Sequence, residues 1–170
     1  QSMRRVVYNW KGGVGKSTIV CNLAAIATQE GKRVLLEDLD PQGNSTHYLL
    51  GYTRSALIAS ERCLIPFDCD AFSRQALYTL LQQVREISSD HNPQLEVDGI
   101  VANQFQPRAR LPRQLLEEML AEDLPVLETK LSSSIKIRES HQHCKPLVFM
   151  DLQHKMTLEF RNLYHELQSN

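Results

Sequence analysis

Apolar and polar positions alternate along this chain in blocks that predict its elements in turn. Arg5-Val6-Val7-Tyr8-Asn9 reads as a short buried strand, and a glycine-rich loop follows it. Within Ser17–Glu30 the apolar positions Val20, Leu23, Ala24 and Ala27 recur at helical spacing, with Gly31 placed as a left-handed cap. Arg33–Leu39 is a second, near-continuous apolar segment interrupted by Glu37, and it predicts a second strand. Strand, helix and strand joined by short links predict a parallel pair with a right-handed crossover. Farther on, Cys63–Pro66 and Val97–Ala102 predict strands, and Ala71–Ile87, Leu111–Ala121 and Thr157–Gln168 predict helices. In the last of these, Leu158, Leu163 and Leu167 suit the core. Such alternation predicts an α/β fold, a mostly parallel sheet flanked by helices on both faces.

Composition narrows the classes without choosing among them. The 170 residues are 42% hydrophobic and 23% charged, which suits one globular domain and excludes a disordered chain. No apolar run approaches the roughly 20 residues of a membrane span, and no signal peptide is visible. Gln1-Ser2 ahead of Met3 reads as a cloning remnant. Cys21, Cys63, Cys69 and Cys144 show no C-x-x-C spacing, which points to a reducing, cytoplasmic setting. Net charge is −1, so the whole-chain balance announces neither a nucleic-acid nor a membrane binder. The charge is uneven, however: residues 1–33 carry a balance of +5 and residues 34–103 one of −6. A basic N-terminal block containing glycines suggests phosphate, although Lys32-Arg33 also fits a solvated turn.

The sharpest chemical signal is Lys11-Gly12-Gly13-Val14-Gly15-Lys16-Ser17-Thr18, after the first strand and opening the first helix. That is the context of a phosphate-binding loop. Glycines let backbone N–H groups converge on phosphate oxygens, and the helix N-terminus adds partial positive charge. Lys16 can reach the β- and γ-phosphates, the Ser17 hydroxyl suits Mg²⁺, and Thr18 can donate to the α-phosphate.

A lysine on either side of the glycines resembles the deviant Walker A motif, KGGxGK[ST], of the ParA/MinD family of ATPases. The resemblance runs on through Asn22-Leu23-Ala24-Ala25, Gly31–Leu36 and Asp38-Leu39-Asp40-Pro41-Gln42-Gly43-Asn44, and it is closer to ParA-type partition and cargo-positioning ATPases than to MinD. It implies a P-loop NTPase that binds ATP and Mg²⁺. It further implies that Lys11 crosses a dimer interface to the partner's ATP, that Asp40 positions the attacking water, and that Asp38 lies near the Mg²⁺ shell. A turn with a helix cap is the plainer reading of Asp38 and Asp40. Asn103 stands where the family sets an asparagine against adenine; capping a turn is its alternative. Ala56–Pro66 resembles the family's helix and following strand, and Ser134–Glu139 with Lys145-Pro146 resembles its late loop and helix beside the base.

Three departures stand against that pattern. The family's third strand, ending in D-x-P-P, has no counterpart, so the resemblance implies a single P-loop ATPase domain over 1–170 with an internal segment missing near residues 51–54. A longer protein of which this is part, a deletion, or a short variant with a differently closed sheet would each explain it. Trp10 stands where the family has Gln; packing on the next strand is its expected role, and stacking near a partner subunit the alternative. Glu37 falls mid-strand in a buried sheet, where it would need a basic partner unless that strand lies differently.

By position, Arg108, Arg110, Arg113, Lys136 and Arg138 are the candidates for the family's non-specific, salt-sensitive DNA contacts, or else solvated surface residues. His141-x-His143-Cys144 lacks a second ligand pair and reads as a surface cluster rather than a metal site. The expectation is a cytoplasmic, nucleoid-associated prokaryotic ATPase. It would form a homodimer on ATP, bind DNA, respond to an adaptor or ParB-like activator, and position a plasmid, chromosome or protein organelle, without membrane attachment. A nucleotide-binding scaffold without turnover, or a MinD-like membrane-associated ATPase, is the alternative.

Overall fold

The computed structural model describes residues 3–37, 54–69 and 74–169. Four strands, β1 (Arg5–Val7), β2 (Arg62–Asp68), β3 (Glu96–Asn103) and β4 (Val126–Lys130), form one parallel sheet in the order β1-β2-β3-β4. Between and after them run α1 (Lys16–Gln29), a short helical stretch α2 (54–59), α3 (Arg74–Asp90), α4 (Arg110–Ala121), α5 (Ile135–Gln142), α6 (Leu147–Met150) and α7 (Lys155–Ser169).

Period-two alternation sorts the strand side chains to opposite faces. Cys63, Ile65 and Phe67 of β2, with Ile100 and Ala102 of β3, pack against Leu77, Leu80 and Val84 of α3 and Leu116 and Met119 of α4. Leu64 and Val101 point the other way, onto Ile19, Leu23 and Ile26 of α1 and Phe160, Leu163 and Leu167 of α7. Helices therefore cover both faces of a parallel sheet, as the chain's alternation predicts. Gly31 takes φ +77°, and its neighbour Lys32 donates to the Ala27 carbonyl, ending α1 as a left-handed cap.

The strand expected over Arg33–Leu39 does not form in its described part. Residues 33–37 are irregular and exposed, with Leu35 at 83% exposure; residues 38 and 39 lie outside the described residues. An apolar run becomes a strand only beside a ladder of partner N–H and C=O groups. Among the described residues β1 pairs with β2 alone, at Arg5–Arg62, Val6–Cys63 and Val7–Leu64. The parallel partner of β1 is thus β2, farther along the chain. Glu37 is correspondingly exposed, which removes any need for a buried partner. Trp10, expected to pack on the next strand, is 46% exposed. Leu158 is half exposed on the outer face of α7, whereas Leu163 and Leu167 are buried as expected. β4, α5 and α6 complete the fold at positions where periodicity alone predicts no element.

Candidate phosphate site

The loop between β1 and α1 is built by what surrounds it. Tyr8 extends the β1 ladder by donating its N–H to the Leu64 carbonyl (2.9 Å). Asn9 then fastens the loop's entry: its amide donates to the Pro66 carbonyl (2.8 Å) and its Oδ1 accepts from the Lys11 N–H (2.9 Å). Gly13 and Gly15 adopt φ +76° and +87°, the left-handed region where a side chain is strained, and the Val14 side chain between them is buried. Backbone in such conformations turns successive N–H groups to one side, forming a concavity for an anion.

The donors of that concavity are unspent. Among the described residues, no protein acceptor takes the N–H of Gly13, Val14, Gly15, Ser17 or Thr18; the first N–H bonded is that of Ile19, to the Gly15 carbonyl (2.9 Å). The N-terminus of α1 adds its dipole. The Lys16 ammonium folds over the loop and donates to the Lys11 carbonyl (2.9 Å), the reach a lysine needs to meet an anion seated there. Ser17 is exposed at the mouth. This arrangement fits phosphate: several fixed N–H donors, a helix N-terminus and a lysine ammonium.

Two asparagines brace the loop from behind. Asn103, at the end of β3, donates to the Val14 carbonyl (3.1 Å) and lies against Gly15, while its Oδ1 accepts from Gln104 N–H (2.9 Å). Asn22, buried one turn into α1, donates to the Thr18 carbonyl (2.9 Å) and accepts from the Val148 N–H (3.2 Å). Sequence reasoning left Asn22 and Asn9 without individual roles; a polar residue among apolar helix positions was the signal for Asn22. Thr18 Oγ1 lies 2.9 Å from His141 Nε2, so α5 also reaches the loop.

Beside the loop, the C-terminal ends of β3 and β4 open on a cavity of about 380 Å³ between Phe105, Gln106, Pro107 and Arg108 on one side and Ser132, Ser133 and Lys155 on the other. In parallel α/β sheets this edge is where ligands bind. Arg108 therefore lines a cleft. Arg110 and Arg113 are exposed on α4 and Arg138 on α5, and Lys136 pairs with Glu139 (2.8 Å), which raises the lysine's pKa. Asp38 and Asp40 lie outside the described residues. Among the described residues no three His, Cys, Asp or Glu side chains gather into a metal site, and His143 and Cys144 are exposed.

The sequence model of the CobQ/CobB/MinD/ParA nucleotide binding domain matches residues 6–147. The chain belongs to that family. It is 24% identical to the sporulation initiation inhibitor protein Soj of Bacillus subtilis, over 96% of this chain and 97% of Soj. It is 23% identical to the chromosome partitioning protein ParA of Myxococcus xanthus, over 95% of this chain and 86% of that protein. Among solved structures, the cell division ATPase MinD of Pyrococcus furiosus superposes with a TM-score of 0.70 at 16% identity, covering 98% of this chain and 99% of MinD. Cobyrinic acid a,c-diamide synthase from Mycobacterium smegmatis, with bound ADP and magnesium, gives 0.67 at 20% identity, covering 92% and 98%. The P-loop NTPase-like fold and the ParA/MinD family are thereby established.

Proposed function

We propose that this chain is a ParA-type ATPase that dimerises on ATP, binds DNA without sequence preference and positions or segregates a cargo. The observation that carries the reading is the loop of unspent N–H donors between β1 and α1, flanked by Lys11 and Lys16. In this reading the N–H groups of Gly12, Gly13, Val14 and Gly15 cradle the β-phosphate. Lys16 reaches the β- and γ-phosphates, Ser17 and Asp38 lie at Mg²⁺, and Thr18 donates to the α-phosphate. Mg²⁺ bound this way is held largely by phosphate oxygens and water, so it needs no cluster of protein ligands. It would neutralise charge developing on the transferred phosphoryl group. Asn103 fixes the loop near the base, Asp40 orients the attacking water, and Lys11 reaches the nucleotide of a second subunit.

DNA contacts are assigned to Arg108, Arg110, Lys136 and Arg138. The likeness to the chromosome partitioning protein ParA of Myxococcus xanthus over nearly the whole chain supports partitioning as the setting. An adaptor or activator protein is a further partner in this reading. The test is ATP turnover and ATP-dependent dimerisation in three variants. Lys16→Ala should abolish nucleotide binding. Asp40→Ala should bind ATP with turnover lost, and Lys11→Ala should fail to form ATP dimers and to retain DNA. Wild-type turnover in Asp40→Ala, or equal dimer and DNA binding in Lys11→Ala, refutes the corresponding role.

A scaffold that binds nucleotide without turnover is the second reading, favoured by the lack of any D-x-P-P segment in the 170 residues. Saturable ATP binding with no phosphate release from the wild type would decide for it. The single-domain reading, with a segment missing near residues 51–54, draws support from two observations. Val34-Leu35-Leu36 is apolar yet exposed, and β1 is an edge of the sheet among the described residues. The alignment with Soj extends over 246 positions, more than the 170 residues available, so Soj has residues that this chain lacks.

A further inference from the structure

The contact between Thr18 and His141 joins two parts of the chain 123 residues apart at the rim of the phosphate loop. Thr18 is in the first turn of α1, and its side-chain oxygen is 2.9 Å from His141 Nε2. His141 is in the last turn of α5, and that turn is firmly placed. Its neighbour Ser140 is buried, and Ser140 and His141 accept from the N–H groups of Lys145 (3.0 Å) and Cys144 (3.1 Å). The chain then enters α6, where Val148 donates to Asn22, and Asn22 in turn donates to the carbonyl of Thr18 itself. Thr18 is thus held at its carbonyl through Asn22 and at its hydroxyl by His141.

A threonine hydroxyl has one proton to give and two lone pairs to receive with. If Thr18 gave its proton to the imidazole, it would have none for a phosphate oxygen. If the imidazole carries its proton on Nε2 and donates, the Thr18 proton is turned away from the ring and is available to an anion in the loop. Negative charge in the loop favours this second arrangement, because a donor hydrogen-bonded to a hydroxyl that itself donates strengthens both bonds.

We propose that His141 is a positioning residue of the nucleotide site, donating from Nε2 to Thr18 Oγ1 so that the Thr18 hydroxyl donates to the α-phosphate. This rests on the nucleotide-binding reading above. The α-phosphate is common to ATP and ADP and stays in place during hydrolysis. The contribution of His141 therefore falls equally on the affinities for both nucleotides and leaves the chemical step alone.

Nucleotide titrations of the full chain with ATP and ADP test this, alongside kcat at saturating ATP and thermal melting. His141→Ala should weaken both nucleotides by about 3- to 10-fold, the effect of one hydrogen bond, with kcat unchanged. His141→Gln, whose amide can still donate, should recover most of the loss. Thr18→Val should weaken binding as well, and adding His141→Ala to it should cost nothing more. Wild-type affinity in His141→Ala overturns the proposal while leaving the nucleotide site intact. So does a loss that persists at full size beside Thr18→Val, or a melting-temperature drop without change in affinity. A wild type that binds neither nucleotide, behaving like Lys16→Ala, overturns both this proposal and the reading beneath it.

Discussion

Asn103, the last residue of β3, donates its side-chain amide to the carbonyl of Val14 at 3.1 Å and occupies the space that a side chain on Gly15 would need. The end of a central strand thereby sets the curvature of the phosphate loop, and the loop's glycine is required for two separate reasons. One is its left-handed φ of +87°; the other is this close approach.

Gly15→Ala should lower stability by about 1–3 kcal/mol through backbone strain, and should also displace Asn103. Asn103→Ala should leave the Val14 carbonyl unpaired and cost about 1–3 kcal/mol. Urea unfolding checks both. Nucleotide affinity should fall further in Gly15→Ala, because there the N–H groups themselves are re-aimed.

At the opposite end of the sheet, Arg5 Nε donates to the fully buried carboxylate of Asp98 at 2.6 Å, and Arg5 Nη2 also donates to the Leu167 carbonyl (3.1 Å). This pair ties β1 to β3 and to the end of α7. Asp98→Ala leaves the largely buried Arg5 cation without its carboxylate and should cost about 3–5 kcal/mol. Nucleotide binding, remote at the other strand ends, should persist in the fraction that remains folded. Denaturant titration with and without ATP separates the two effects.

Burial first, and the nearby Asp98 carboxylate second, push the Cys63 thiol up to about 12 from its ordinary 9.0. The unfolded chain then releases this proton near pH 9 while the folded chain keeps it. Stability from this group is fully present below pH 9 and is lost as pH rises from 9 through about 12. Between pH 8 and 11 the wild type should lose more stability than Cys63→Ala, each compared with its own value at pH 8. Alkylation of the native protein near pH 8 should mark the exposed Cys144 and spare Cys63.

Hydrogen exchange should rank the strands. β2 and β3 each lie between two partners and should hold their amides longest, whereas β1 and β4, each bonded to one strand among the described residues, should exchange faster. Protection of β1 equal to that of β3 would count against an open outer edge on β1 and against a missing neighbouring strand.

Much of this was legible in the residues because it depends on local rules. The lysine-flanked glycine loop between a strand and a helix, the cap at Gly31, and β2 and β3 each follow from spacing within a few residues. The strand over 33–37 failed for the reason that local pattern cannot carry. A strand exists only through a neighbour, and Val34–Leu36 has none among the described residues. β4 escaped notice because Val126–Lys130 buries only Leu127 deeply and alternates too weakly to signal a strand.

The sequence by itself determined an alternating α/β chain, the phosphate loop and the side chains that could serve it, since φ-permissive glycines and charged residues act where they stand. Only the tertiary structure decided that β1 pairs with β2, that Asn9 fastens the loop to Pro66, that Asn103 meets Val14 and Asn22 meets Val148 behind it, and that His141 meets Thr18. Those contacts join residues separated by up to 126 positions, and no periodicity along the chain encodes which distant segment will lie alongside. Packing on the two faces of the sheet does.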